Sequence, residues 1–506
     1  MLLQFVPSSL WLEDYFAAVN SRLRDFRPAE LAHLCYAAGK LRVAPHSSLL
    51  GGIFRHTSIN FRQYGMRELA LLLYGLVHMG GELNPDWVRQ YRVRVCALLV
   101  ESEVVPPPTL QRWGPHLHPN ALGPLVKARL REVPQDSSRG DVDAAQSSSG
   151  EPSPLGPLAG SSEASGERLA QETTRAGGGA TAPAVAIATD LAVILGSMAD
   201  WLYQPPQAFM EVALSVVGGS VQRLTATQLT GLLLTLAHME YRPEPEMFQA
   251  IWARVMDSYD SLGRQHRTNA LWAAGRLRCA VPRPHLWMIL TRAARELYEH
   301  TDAEVVALLA AAAGLHFKAH QQWLLLFESH LFKRLPSFKP FELVSVLQSL
   351  VDLGHKPDRI WLLRWAEALK PGVAELGLTH ISSAAYAVAR LGFRPPAGLR
   401  AELLRVSAQR MAAAPAASRE GVELRSTSGQ QSSEQMNAAA RGTSPSRTKL
   451  RKGVDNGGEF QRIRVLSRLL WSLAMLDIRP DSEWLAAYLG CLGASLEYCS
   501  AHLFSM

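Results

Sequence analysis

Five basic residues, Arg242, Lys318, Lys356, Arg394 and Arg479, follow one another at intervals of 76, 38, 38 and 85 residues, and four of them stand directly before a proline. Cations placed one structural unit apart can line an edge along which successive phosphates are neutralised. The same residues fit a plainer role. A cation at the C-terminus of a helix, next to a proline that stops it, satisfies the helix dipole and its last carbonyls. The two roles are compatible.

A second set recurs with varying polar type. Asn269 with Arg276 and Ser383 with Arg390 are pairs seven residues apart, and His238 falls in the same column as Arg276 and Arg390. Seven residues is close to two helical turns, so each pair shares one helix face. A constant scaffold with a few variable polar positions per unit can read single-stranded RNA one base at a time. The alternative is a solvated helix face whose residues drift freely. The run Arg447, Lys449, Arg451 and Lys452 is either a flexible basic arm or a solvated tail.

Catalytic chemistry has little to build on. No Lys-Ser or Lys-Thr follows the Gly177-Gly178-Gly179 run, so it is no phosphate loop, and His116 and His118 have no evident third metal ligand. No kinase, nucleophile-elbow or His-Glu-x-x-His pattern occurs. The sequence therefore predicts no enzyme, no catalytic residue, no metal and no cofactor. The five cysteines (Cys35, Cys96, Cys279, Cys491 and Cys499) lie at least eight residues apart and read as core thiols in a reducing compartment.

These residues need elements to hold them, and the elements repeat. With Tyr36, Tyr74, Leu195, Leu234, Trp272, Ala310, Gln348, Tyr386 and Trp471 as position zero, the next residue is always small: Ala37, Gly75, Gly196, Thr235, Ala273, Ala311, Ser349, Ala387 and Ser472. Five residues after zero, eight of the nine are Leu or Met. A small column beside an apolar one is what close helix-on-helix packing needs. A second series, Trp11, Leu49, Trp87, Leu125, Phe209, Phe248, Trp287, Trp323, Trp361, Leu399 and Trp484, keeps nearly the same interval and marks a second helix of each unit. Trp287, Trp361 and Trp484 are expected in the core.

A fixed period of this size identifies a solenoid, because one helical pair cannot bury its apolar face alone. The expected fold is all-α, a right-handed α-solenoid of about ten 38-residue helical hairpins. At 506 residues the chain is too long for one compact core. Repeats are expected over 1–134, 185–411 and 461–506, with low-complexity inserts poor in large apolar residues at 135–184 and 412–460. Both inserts fall after a second helix, where a loop grows at little cost. Pro115 and Pro119 make the last N-terminal unit degenerate. The chain opens on what reads as a second helix, which suggests a fragment or an unusual cap.

The turns Lys356-Pro357-Asp358-Arg359-Ile360-Trp361-Leu362 and Arg479-Pro480-Asp481-Ser482-Glu483-Trp484-Leu485, with this period, resemble the octotricopeptide repeat family over about 400 residues. The resemblance is weaker at Pro395-Pro396-Ala397-Gly398-Leu399. It implies a helical-repeat protein that binds single-stranded organelle RNA and supports transcript stability, processing or translation in the chloroplast or, alternatively, the mitochondrion, with possible protein partners in a ribonucleoprotein complex. Many members, like the related FAST-kinase-like proteins, end in a RAP domain. Only 22 residues follow Trp484, so none is expected here.

Residues 1–20 show no clear transit peptide, and the longest apolar run, Val305 to Leu315, is about half of the ~20 residues a spanning helix needs, so no membrane insertion is expected. A net charge of +7 permits a polyanionic partner. The competing function is an α-solenoid scaffold for proteins, which would show apolar patches rather than cations on its inner face.

Overall fold

The computed structural model describes residues 8–117, 119–132, 182–426 and 456–503. They form twenty-one α-helices joined by short turns, with no strand among the described residues, which is the all-α solenoid arrangement expected. Two compact units are distinguished, Met1–Ser197 with Pro205–Leu224, and Met198–Gln204 with Thr225–Met506. Their division does not follow the low-complexity inserts.

The first unit holds α1 (Ser9–Ser21), α2 (Pro28–Leu41), α3 (Ser47–Asn60), α4 (Met66–His78), α5 (Pro85–Glu101), α6 (Pro107–Leu117), α7 (Pro119–Glu132), most of α8 (Ala182–Asp200) and α9 (Gln207–Gly218). The second holds α10 (Ala226–His238), α11 (Pro245–Asp257), α12 (Arg264–Arg276), α13 (Arg283–Arg295), α14 (Asp302–Gly314) and α15 (Gln321–Arg334). It continues with α16 (Pro340–Asp352), α17 (Arg359–Leu369), α18 (Leu378–Leu391), α19 (Ala397–Ser426), α20 (Asn456–Met475) and α21 (Ser482–Leu503). In this unit the first helices of successive pairs pack each on the next, from α10 through α12, α14, α16 and α18 to α20.

The first helices begin and end by one local rule. At the start, a side chain three residues in reaches back to the capping N–H: Glu30 to Arg27, Gln228 to Thr225, Glu304 to Thr301 and Glu342 to Lys339, at 2.8–2.9 Å. At the end, the chain enters the left-handed region at Arg42, Gly80, Leu202, Glu240, Arg278, His316, Gly354, Gly392 and Asp477. The following N–H then bonds five residues back, as in Tyr241 to Leu236, Cys279 to Ala274, Phe317 to Ala312 and Phe393 to Val388. From Leu202 to Gly392 this stop recurs every 38 residues, which fixes the period in hydrogen bonds.

The second helices hold the indoles. Three buried rings donate to the pair before them: Trp87 Nε1 to Thr57 Oγ1 at 2.7 Å, Trp361 Nε1 to the Glu328 carbonyl at 3.3 Å, Trp484 Nε1 to Ser407 Oγ at 2.7 Å. A ring that fills apolar space and also satisfies its one donor links neighbouring pairs without an orphaned polar atom.

Several expectations need correction. Trp287 is not core: it is 43% exposed, and the buried residue is Leu286, which restores the interval of 38 from Phe248 and to Leu324. Trp11 is 53% exposed and stacks on Tyr15 at 5.1 Å, while Phe16 and Val19 fill the space beneath α1. In α7, Leu122 and Val126 are buried in place of Leu125. In α8 the stop at Leu202 moves position zero from Leu195 to Gly196, so the small buried residue is Ser197. Ala37, on the first of these helices, is exposed.

Helix α19 runs to Ser426 through a stretch rich in the helix formers Ala, Arg and Glu. Helix α20 begins at Asn456, which leaves 427–455 between the two helices. Those residues, most of the first insert, the basic run 447–452 and His118 lie outside the described residues. The segment Pro183–Asp200 is long and apolar enough to cross a bilayer, and 44% of it is buried against its neighbours. Cys35, Cys96, Cys279 and Cys491 are buried, and burial pushes the Cys35 and Cys96 thiols up to about 12.

One buried column carries a charge switch. Leu224, Leu262, Phe338 and Leu376 close the turns after second helices, and His300 takes the same place. Its ring nitrogens make no hydrogen bond, and burial lowers its pKa more than the Glu304 carboxylate, 3.7 Å away, raises it. Burial also lowers that of His330. Because the folded state disfavours these protons, acid favours the unfolded chain. Stability should fall as pH drops below about 6.5, by at most about 1.4 kcal/mol per pH unit for each group. Urea unfolding at pH 7.5 and 5.5 checks this, and His300→Leu should flatten the difference.

Candidate nucleic-acid interface

The first helices of the second unit together form one side of the stack. Along α10, α12, α14, α16 and α18 they enclose an open groove of about 1100 Å³. Its floor is made of small residues because the helices approach closely. A Cβ on Gly275 would lie 3.0 Å from the Ala311 Cα, and one on Gly314 would lie 2.8 Å from the Gly275 carbonyl. The face of α14 is smooth, with Ala303, Val306, Ala307, Ala310 and Ala313 along it.

Polar groups stand at the two ends of this smooth stretch. His238, Trp272, Arg276, Arg278 and His316 lie on the α10–α14 side, and Gln348, Asp352, His380, Ser383 and Arg390 on the α16–α18 side. Cationic and imidazole groups outnumber carboxylates. Of the latter, Glu342 is buried and accepts from the Lys339 N–H at 2.8 Å, and Asp352 accepts from Gln348 Nε2 at 2.8 Å.

Four of the five residues expected to read bases, His238, Arg276, Ser383 and Arg390, therefore line one groove. Asn269 does not line it, although it is on the same helix as Arg276. Arg276 is already engaged, its Nη2 donating to Glu240 Oε1 at 2.5 Å. The five cations expected on phosphates stand elsewhere: Arg242, Lys318, Lys356, Arg394 and Arg479 are exposed at the turns, outside the groove lining. Arg242 donates to the Arg278 carbonyl at 3.1 Å, which is the helix-end role. The other four form no ion pair among the described residues.

Sequence reasoning overlooked the aromatic side chains at position zero, using them only as a register. Tyr36, Tyr74, Trp272 and Tyr386 are half-buried, each with a cation or imidazole beside it, and Trp471 is exposed. In the first unit the Tyr36 and Tyr74 rings lie 5.0 Å apart, Lys40 Nζ sits 5.4 and 4.9 Å from their centroids, and His78 stacks on Tyr74 at 4.0 Å. In the second unit His238 and Trp272 are 5.5 Å apart, and Arg468 lies 3.9 Å over the Tyr386 ring. The spacing could have revealed this, since Lys40, His78, Arg276 and Arg390 each follow an aromatic residue by four positions. Arg278 and His316 were also missed. They occupy the left-handed stop, where glycine is the ordinary residue, and so give no compositional signal.

Such a surface offers flat rings for stacking and cations for phosphates around an apolar floor that includes the half-exposed Phe341. No protein-family model matches the chain. The chain is 23% identical over 214 residues to the Tbc2 translation factor, chloroplastic, of Chlamydomonas reinhardtii, a match covering 41% of this chain and 19% of that protein. It thus spans about a fifth of the length of the curated relative it matches.

Proposed function

We propose that this protein binds single-stranded RNA selectively through its helical repeats, without catalysis, and supports the stability, processing or translation of an organelle transcript, in the chloroplast before the mitochondrion. The likeness to a chloroplast translation factor suggests an organellar, RNA-related role in general. The turns ending at Trp361 and Trp484 add the resemblance to octotricopeptide repeats. The observation that carries the reading is the groove itself, in which Arg276, Arg278 and Arg390 and three histidines surround ring faces and a small-residue floor. Base edges and phosphates need this mixture, whereas a helix-binding scaffold would use an apolar trough. By covering a strand, the protein would block exonucleases or hold a ribosome-binding region open.

Filter binding to single-stranded RNA pools at several salt concentrations tests this. Changing Lys318, Lys356 and Arg394 to Glu is expected to weaken binding for all sequences alike and to lower the salt slope by about 2, at roughly 0.7 for each phosphate no longer neutralised. Substituting His238 and Ser383 together, both in the groove lining, is expected to change which RNA is preferred and leave the slope nearly unchanged. If the parent protein binds no tighter than the ~10⁻⁴–10⁻⁶ M of non-specific charge attraction, the RNA reading fails and the protein-scaffold reading replaces it.

A further inference from the structure

We propose that Trp471, Tyr386, Arg468 and Arg390 form a clamp for one unpaired RNA nucleotide, its base stacked on the exposed indole and its phosphate held by the two guanidinium groups. The inference rests on the RNA-binding reading and gives it a specific subsite.

Helices α18 and α20 are neighbours, and each puts a ring at position zero. The Tyr386 and Trp471 rings lie 5.4 Å apart at 43°, so neither covers the other's face fully. Trp471 remains 42% exposed, and Met475, one turn further along α20, is 60% exposed. Large apolar groups left in water beside cations suit a ligand that is flat and charged at once.

The cations point to the same ligand. Arg468 is half-buried over the Tyr386 ring at 3.9 Å, and Arg390 donates from Nη1 to Tyr386 Oη at 3.1 Å. The hydrogen bond that Arg468 makes to a side chain is to an uncharged one, from Nη2 to Gln348 Oε1 at 2.8 Å. Gln348 Nε2 in turn donates to Asp352, so the nearby carboxylate reaches Arg468 only through an amide. Burial pulls the Arg468 pKa down and Arg464 adds like charge, while Asp352 and Tyr386 offset part of this. A desolvated guanidinium with no direct counter-ion among the described residues gains from an incoming anion. A phosphodiester supplies that charge, and its attached base supplies the ring for Trp471.

The test uses the full chain and random single-stranded RNA 20-mers substituted with 5-iodouridine. After irradiation, mass spectrometry is expected to find adducts on Trp471 or Tyr386. Trp471→Leu is expected to weaken binding roughly 5- to 100-fold, the range one base–aromatic stack carries, with the salt slope unchanged, and Trp471→Phe to restore most of it. Arg468→Gln is expected to weaken binding and lower the slope by about 0.7.

RNA binding by the parent with adducts only elsewhere, and Trp471→Leu binding as the parent does, would overturn the clamp while leaving the RNA reading intact. A parent protein that retains no RNA, or that captures acidic peptides through these residues instead, overturns both. Should Trp471→Leu fail to fold, the adduct positions on the parent still decide.

Discussion

Alanine at Trp365 is expected to lower the stability of the second unit by about 3–5 kcal/mol. The ring is fully buried in the same cluster as Phe338, Leu343, Leu347, Leu369 and Ile381, and its Nε1 donates to the Leu343 carbonyl at 2.9 Å. Truncation opens a cavity that rigid helices cannot close and removes the hydrogen bond to that carbonyl. In a stacked array each pair leans only on its neighbours, so the loss should be local. Hydrogen exchange should show reduced protection concentrated in α15–α18, with the first unit unchanged. Uniform loss over the whole chain would contradict nearest-neighbour stacking.

Gly75→Val should destabilise the first unit by more than the ~1–3 kcal/mol of ordinary overpacking. A Cβ at Gly75 would lie 2.3 Å from both the carbonyl carbon and oxygen of Cys35, and one at Gly39 would lie 2.8 Å from the Gly75 Cα. Main chain meets main chain there, and no side chain can rotate away. Gly51→Ala in α3 is the contrast. No atom stands within 4 Å of its added Cβ, so alanine should stabilise by roughly 0.5–1 kcal/mol through helix propensity alone. Urea unfolding of the two variants should move in opposite directions.

The period and the two helix faces were legible in the sequence because packing constrains them at every repeat. Gly75, Ala273 and Ala311 had to be small where helices approach, and Trp361 and Trp484 had to be large where they fill the interior. A one-residue offset was not legible. Leu286 and Trp287 are both large and apolar, so composition cannot say which faces inward, and only the position of the helix start decides. At α8 the choice between Leu195 and Gly196 depended on a left-handed residue, Leu202, that no residue type announced.

The groove was legible in part. Polar columns at fixed offsets located His238, Arg276, Ser383 and Arg390, but nothing in the sequence showed that Glu240 would take hold of Arg276. The aromatic–cation spacing of four marked several rings at position zero, but not how far each would be covered. Whether a tyrosine at that position is covered depends on the size of its neighbour on the next helix, which is a tertiary fact.

The alanine face of α14 has a meaning of its own for a strand laid along the groove. It gives surface without donors or acceptors, so exchanging one base for another opposite it would change no hydrogen bond. In informational terms α14 is a blank character between two legible ones. A recognition motif written by this unit would then be split, two short specified words separated by a spacer of fixed length and free spelling.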